Sequence, residues 1–266
     1  MNDKIKRIIT ATIVIPPLLI IIIFSNKVFF YLVMEFFIFI SLYEFIRMLK
    51  IMNYKYFKMP VILAALLMPV IVDTQNFQFL LIFLLLVVFI VFTLKLFSIN
   101  PLEDTFITTG LTFVTIFYIP FFFSFLLPYK GLNIHYIFYL LFTVWMADTF
   151  AYIFGTLYGK HKLYEKISPK KTIEGFIASY FGGLITAAIY NAIFIKFPIV
   201  DVFFSTLLIV SAGTTGDLVE SMFKRQCHLK NSGTFFPGHG GILDRIDSLL
   251  FAIPVFYIYI TYRFAQ

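Results

Sequence analysis

Between Ser221 and Asp247 the sequence SMFKRQCHLKNSGTFFPGHGGILDRID gathers Lys224, Arg225, Lys230, His239, Asp244, Arg245 and Asp247 between two strongly apolar segments. Only 13% of the chain is charged, so this concentration stands apart from its surroundings. On a helix, Asp244 and Asp247 are i and i+3 and face the same way. Two carboxylates without a Cys cluster or an HExxH pattern are hard oxygen ligands that suit Mg2+ rather than zinc. Acids at a helix start also complement its dipole, and taken alone that plainer role is the favoured one. The preceding Gly238-His239-Gly240-Gly241 shifts the balance, because glycines let backbone N–H groups approach an anion closely. No Gly-Lys-Ser/Thr follows, so this is not a Walker A loop. Acids, an arginine, a basic run and a glycine turn together point to phosphate and metal chemistry.

Three other groupings bear on the same chemistry. In GTTGDLVESMFKR, Asp217 and Glu220 are again i and i+3. Glu220 has a local partner in Lys224 at i+4, but Asp217 has none in sequence and is a strong metal-ligand candidate. In WMADTFAYIFG, Asp148 and Tyr152 lie one helical turn apart inside an apolar run. A structural hydrogen bond between helices and a functional role are equally supported for Asp148. In GKHKLYEKISPKKTIEG, Ser168 and Pro169 read as the N-cap and first residue of a helix. Lys170, Lys171 and Thr172 then sit at that helix start, where N–H groups and the dipole favour phosphates. The single Cys227 excludes an internal disulfide, and His135, His161 and His228 lack ligand spacing. Glu35 and Glu44 fall in an apolar segment, and the sequence supplies no partner for Glu35.

The elements that position these residues are membrane helices. Of the 266 residues, 61% are hydrophobic, and the mean hydropathy is +0.93. Continuous runs of about 20 apolar residues recur along the chain, the length that crosses a bilayer core. They do not alternate, so helices rather than a barrel are expected. Nine segments can be marked at Ile8–Phe24, Val28–Ile46, Pro60–Val72, Phe77–Phe97, Phe106–Leu127, Ile134–Phe154, Ile173–Phe197, Val202–Gly216 and Ser248–Phe264, the third and eighth being short. The start resembles a signal peptide but lacks a small-residue cleavage site, so a retained first helix is expected.

With the N-terminus in the cytoplasm and nine crossings, 17 of the 21 basic residues fall on the cytoplasmic side. Lys27, Lys130, Lys196 and Arg263 fall on the far side, as does the C-terminus. The net charge of +7 therefore reads as topology and anionic ligands, not nucleic acid. The fold expected is an all-α polytopic integral membrane protein and a single membrane domain over 1–266. Within it, 1–130 are scaffold helices and 131–266 carry the catalytic helices and cytoplasmic motif loops.

Ser221, Lys224-Arg225, Lys230, Gly233, Pro237, His239-Gly240-Gly241, Asp244-Arg245 and Asp247 closely resemble, with matching spacing, the signature of the phosphatidate cytidylyltransferases, or CDP-diacylglycerol synthases. SPKKTIEG, Asp148–Gly155 and LYEFIRM at Leu42–Met48 also resemble that family, and the similarity is weakest in segments three to five. One departure is Asn231, where the family pattern has Asp; an amide keeps an oxygen acceptor but loses the charge.

The resemblance implies that CTP and phosphatidate give CDP-diacylglycerol and pyrophosphate, with Mg2+ and a second cation as cofactors. It implies Asp217, Asp244 and Asp247 as metal ligands, with Asp148 a further candidate. Lys170, Lys171, Lys224, Arg225 and Arg245 would hold the triphosphate and the lipid phosphate. Ser168, Pro169, Thr172, Ser221, Lys230, His239, Gly240 and Gly241 would complete the pocket. It further implies a homodimer in a bacterial cytoplasmic (inner) membrane, the site facing the cytoplasm and the acyl chains staying among membrane lipid. The competing readings are a CTP-dependent polyprenol or phytol kinase, an anion transporter, and a descendant that binds without catalysis.

Overall fold

A computed structural model describes residues 16–99, 101–235 and 240–264. His239, Pro237 and Gly238, with residues 8–15 of the first apolar segment, lie outside the described residues. The chain is helical at 16–24 (α1), then forms α2 (Lys27–Ile51), α3 (Lys58–Asp73), α4 (Phe77–Leu96) and α5 (Thr105–Ile116). A π-helical turn, Phe117–Phe121, joins α5 to α6 (Phe122–Ser124) and α7 (Leu126–Leu132). Next come α8 (Ile134–Tyr158), β1 (Lys162–Tyr164), β2 (Ser168–Thr172) and α9 (Ile173–Tyr190). The last helices are α10 (Ile199–Gln226) and α11 (Leu243–Phe264).

Asparagines start several of these helices. Asn26 accepts from the Phe29 N–H, Asn76 from Gln78 and Phe79, and Asn133 from His135. Each satisfies amides that have no acceptor within the helix. Pro120 lies in the π turn, where the missing N–H of a proline is accommodated by a local widening.

Among the described residues, six helical stretches are long and apolar enough to cross a membrane: Lys27–Ile51, Phe77–Leu96, Leu102–Leu132, Ile134–Tyr158, Ile173–Ile195 and Ile199–Gln226. The chain is a helical, multi-pass membrane protein. Among the nine expected segments, α3 is short, at 16 residues. The eighth is not: α10 has 28 residues and continues through Gly216, Asp217 and Glu220 to Gln226. A helix satisfies its backbone internally whatever its side chains are, so polar residues did not end it.

The stretch Ser168–Thr172 departs from the expected helix start. It is the second strand of an antiparallel hairpin in which Lys162 pairs with Thr172 and Tyr164 with Ser168. The cap of α9 is Thr172, whose hydroxyl accepts from the Gly175 N–H at 3.1 Å. Pro169 fits a two-stranded ribbon, where an N–H facing outward is not needed, and the β-branched Thr172 suits extended backbone.

The chain divides into two compact units, Met1–Gly131 with Asn231–Arg245, and Leu132–Lys230 with Ile246–Gln266. The core of the first includes Met34, Ile38, Phe45, Met48, Met68 and Ile119. In the second, the buried Tyr139 stacks on Phe256 at 5.3 Å, and its hydroxyl meets Ser205 at 2.8 Å. At the N-terminal end of α10 the carboxylate of Asp201, 1% exposed, accepts from Tyr259 at 2.6 Å and from Arg263 at 2.9 and 3.3 Å. This clasp ties the start of α10 to the end of α11. Asp201→Asn should lower the apparent melting temperature of the detergent-solubilised protein, stranding donors at a cost of about 1–3 kcal/mol. An unchanged melting curve would show that the clasp contributes nothing.

Candidate functional site

In the second unit the polar residues collect around the C-terminal half of α10. Strand β2 has alternating faces, so its two lysines part company. Lys171 is half-buried and its Nζ lies 2.6 Å from Asp217 Oδ2, while Lys170 is exposed. Asp217 Oδ1 also accepts from the Ser221 hydroxyl at 3.3 Å, one helical turn on. Deeper on the same helix Lys224 pairs with Glu220, which is fully buried. Arg225 donates to the carbonyls of Ile167 at 3.2 Å and Leu229 at 3.1 Å, fastening the hairpin turn to the end of α10. Lys230 is exposed, and Ser168 and Thr172 are held by the ribbon.

Asp247, half-buried on the second turn of α11, accepts at Oδ1 from the Ser248 N–H at 2.7 Å. The charges that act on it are those of Asp217 and Asp148, of like sign, and Lys224, of opposite sign. Gly216 makes this grouping: a Cβ there would overlap the Asp247 carbonyl. Gly213, one turn earlier, is less crowded, its built Cβ lying 3.6 Å from Ser248. Small residues at a helix contact allow such an approach. Asp148 is exposed on α8. Cys227 is buried, and burial pushes its thiol above the ordinary value, which suits packing rather than nucleophilic chemistry.

In the first unit Ser232 and the residues from Gly241 to Leu243 close around two carboxylates. Asp244 Oδ2 accepts from the N–H groups of Ser232 at 2.9 Å and Gly241 at 2.8 Å, with the Ser232 hydroxyl at 3.0 Å. The same hydroxyl lies 2.8 Å from Glu44 Oε2. Glu44 further accepts from the N–H groups of Ile242 at 3.0 Å and Leu243 at 2.9 Å. Gly240 has φ +86°, a left-handed conformation for which glycine is suited, and Asn231 is exposed beside it. The Arg245 N–H donates to Ile242 O at 2.9 Å, and its side chain is exposed.

Of the glycines expected to cradle a phosphate, Gly241 gives its N–H to Asp244, and the next two residues, Ile242 and Leu243, give theirs to Glu44. Glu44 was the residue that motif reading missed. Its signals were a carboxylate inside an otherwise apolar run and its place in LYEFIRM, one of the stretches that carry the resemblance.

Among the described residues no group of three or more His, Cys, Asp and Glu side chains is arranged to hold a metal ion. Mg2+ does not need one, since it keeps several waters and binds through one or two carboxylates plus substrate phosphates. Asp217 and Asp247, two carboxylates whose charges act on one another, fit that smaller requirement.

Residues 5–263 match the cytidylyltransferase family. Proteins named phosphatidate cytidylyltransferase are similar to this chain. One from Staphylococcus saprophyticus is 42% identical over 156 residues, covering 57% of this chain and 58% of the relative. One from Staphylococcus haemolyticus is 50% identical over 128 residues, covering 46% and 48%. One from Staphylococcus aureus is 44% identical over 155 residues, covering 57% and 58%. Each match thus spans less than two thirds of the relative's length.

The contrast between Gly216 and Gly213 is testable. Gly216→Ala must push α11 away from α10, and overpacking of this kind costs about 1–3 kcal/mol. Gly213→Ala has room for its methyl group and should be neutral or stabilising, since replacing a mid-helix glycine gains roughly 0.5–1 kcal/mol. Melting curves of the two variants that coincide would rule out the close approach.

Proposed function

Because the chain belongs to the cytidylyltransferase family, we propose that it transfers CMP from CTP to phosphatidate, giving CDP-diacylglycerol and pyrophosphate. A phosphate oxygen of the lipid attacks the α-phosphorus of CTP. The bond from that phosphorus to the bridging oxygen of the β-phosphate breaks, and pyrophosphate leaves with the electron pair. No covalent enzyme intermediate is required, so the protein's task is to position two anionic substrates and offset their charge.

The observation that carries this reading is the pairing at α10: Asp217 held by Lys171 at 2.6 Å, with Asp247 next to it through Gly216. Carboxylates and ammonium groups brought together at the polar end of a membrane helix suit a triphosphate with its counter-ion. Asp217 and Asp247 would hold Mg2+, with Asp148 and a second cation nearby. Mg2+ supplies neutralisation of phosphate charge when bound. Lys171, released from Asp217, and the exposed Lys170 and Lys230 would bind phosphate oxygens. Arg225 orients the hairpin that carries the lysines. Asp244, expected as a third ligand, shapes the turn in which Gly241 lies, and Arg245 is exposed on that turn. Nine crossings with the N-terminus and the site in the cytoplasm of a bacterium place CTP on the correct side. The acyl chains of phosphatidate stay among lipid, and the protein acts as a homodimer.

The test is pyrophosphate release by purified protein given CTP, phosphatidate and Mg2+, with each omitted in turn. Release should require all three and fall by at least about 100-fold in Asp247→Asn, the scale at which misplaced catalytic groups register. CDP appearing without pyrophosphate would identify a lipid kinase. Neither product would overturn the reading, and restoration by Asn231→Asp would trace the loss to that position.

A further inference from the structure

We infer that Glu44 is a positioning residue for the turn that carries Asp244 and Arg245, an inference that rests on the cytidylyltransferase reading. Glu44 is 3% exposed on α2, a helix that is apolar around it. A carboxylate in such a place is costly unless its oxygens are matched by donors. Both are matched, and all three donors come from residues 232–243.

Two of those donors, the N–H groups of Ile242 and Leu243, belong to the beginning of α11, where amides lack acceptors within their own helix. Glu44 therefore caps α11 from another helix, at the end where the dipole favours negative charge. Ser232 extends the effect, since its hydroxyl lies between Glu44 and Asp244 and its N–H goes to Asp244. The turn is shaped to admit this carboxylate: a Cβ at Gly233 would run into the Glu44 side chain and nothing nearer. The anion-binding corner that the glycine motif suggests is filled by the chain's own acid. Its function is to fix the first turn of α11 and the two charged residues on it.

The experiment uses the full chain in detergent. Glu44→Gln keeps the volume and removes the charge and one acceptor. Hydrogen exchange in peptides covering 240–245 should quicken by about 10-fold or more, while exchange in α10 stays at the wild-type value. The turnover number should drop by about 10- to 100-fold with KM for phosphatidate unchanged, since the defect is one of alignment. If Glu44→Gln fails to fold, Gly233→Ala replaces it, because its methyl group displaces the carboxylate from outside. Gly233→Ala should lower turnover in the wild-type background and add little to Glu44→Ala, the signature of two groups in contact.

Unchanged exchange at 240–245, or quickened exchange with an unchanged turnover number, overturns the inference. Absence of CMP transfer by the wild-type protein overturns the functional reading instead, and the exchange data still decide whether Glu44 anchors the turn.

Discussion

A carboxylate withdrawn from water must be met by donors or cations, and in this protein meeting that requirement fixes which elements touch. Four of the acids are answered in different ways, whereas the buried Glu35 has no hydrogen-bond partner at either oxygen among the described residues. Asp201 is gripped by Arg263 and Tyr259, Glu220 by the lysine one turn along its own helix, and Asp217 by a lysine delivered on a β-strand. Glu44 has donors without any cation among its hydrogen bonds, drawing on backbone N–H groups at a helix start and a serine. Leaving any one of these unmet costs more than the net gain of an ordinary hydrogen bond. The polar groups therefore dictate geometry in a chain whose apolar surface is nearly interchangeable with lipid.

The cluster on α10 shows how such matching becomes chemistry. Lys171 and Lys224 each answer one acid, while Asp247 is surrounded by more like charge than opposite charge. An excess of negative charge in a poorly solvated place attracts cations and raises the value of any that arrive. The strand geometry of β2 adds a division of labour: of two adjacent lysines, one faces the acids and the other faces outward.

Much of this was legible in the sequence. The apolar runs correspond to helices, including the described part of the first, because length and hydropathy determine a bilayer-crossing helix with little help from context. Asp217, Lys171 and Asp247 were legible as charges that a membrane segment does not carry idly. What was not legible depended on partners far along the chain. Ser168-Pro169 has the residue types of a helix cap, yet pairing with β1 moved the helix start to Thr172. The polar run after Gly213 looked like the end of a segment because hydropathy reports side chains, not backbone continuity. Gly240 and Gly241 suggested a phosphate cradle, and no local pattern could reveal that an acid on α2 was aimed at the N–H groups of the next two residues, Ile242 and Leu243.

The span between Glu44 and its donors has a temporal meaning. The hydroxyl and amides that receive it are 188 to 199 residues further along the chain. At roughly 5–20 residues per second, a ribosome needs about 10–40 s to cover that distance. Throughout that interval α2 is already made while the groups that complete it are not. Insertion must tolerate an unmatched acid on an early helix. The turn carrying Asp244 can assume its final shape only when synthesis is almost finished. An incomplete chain therefore lacks the finished turn.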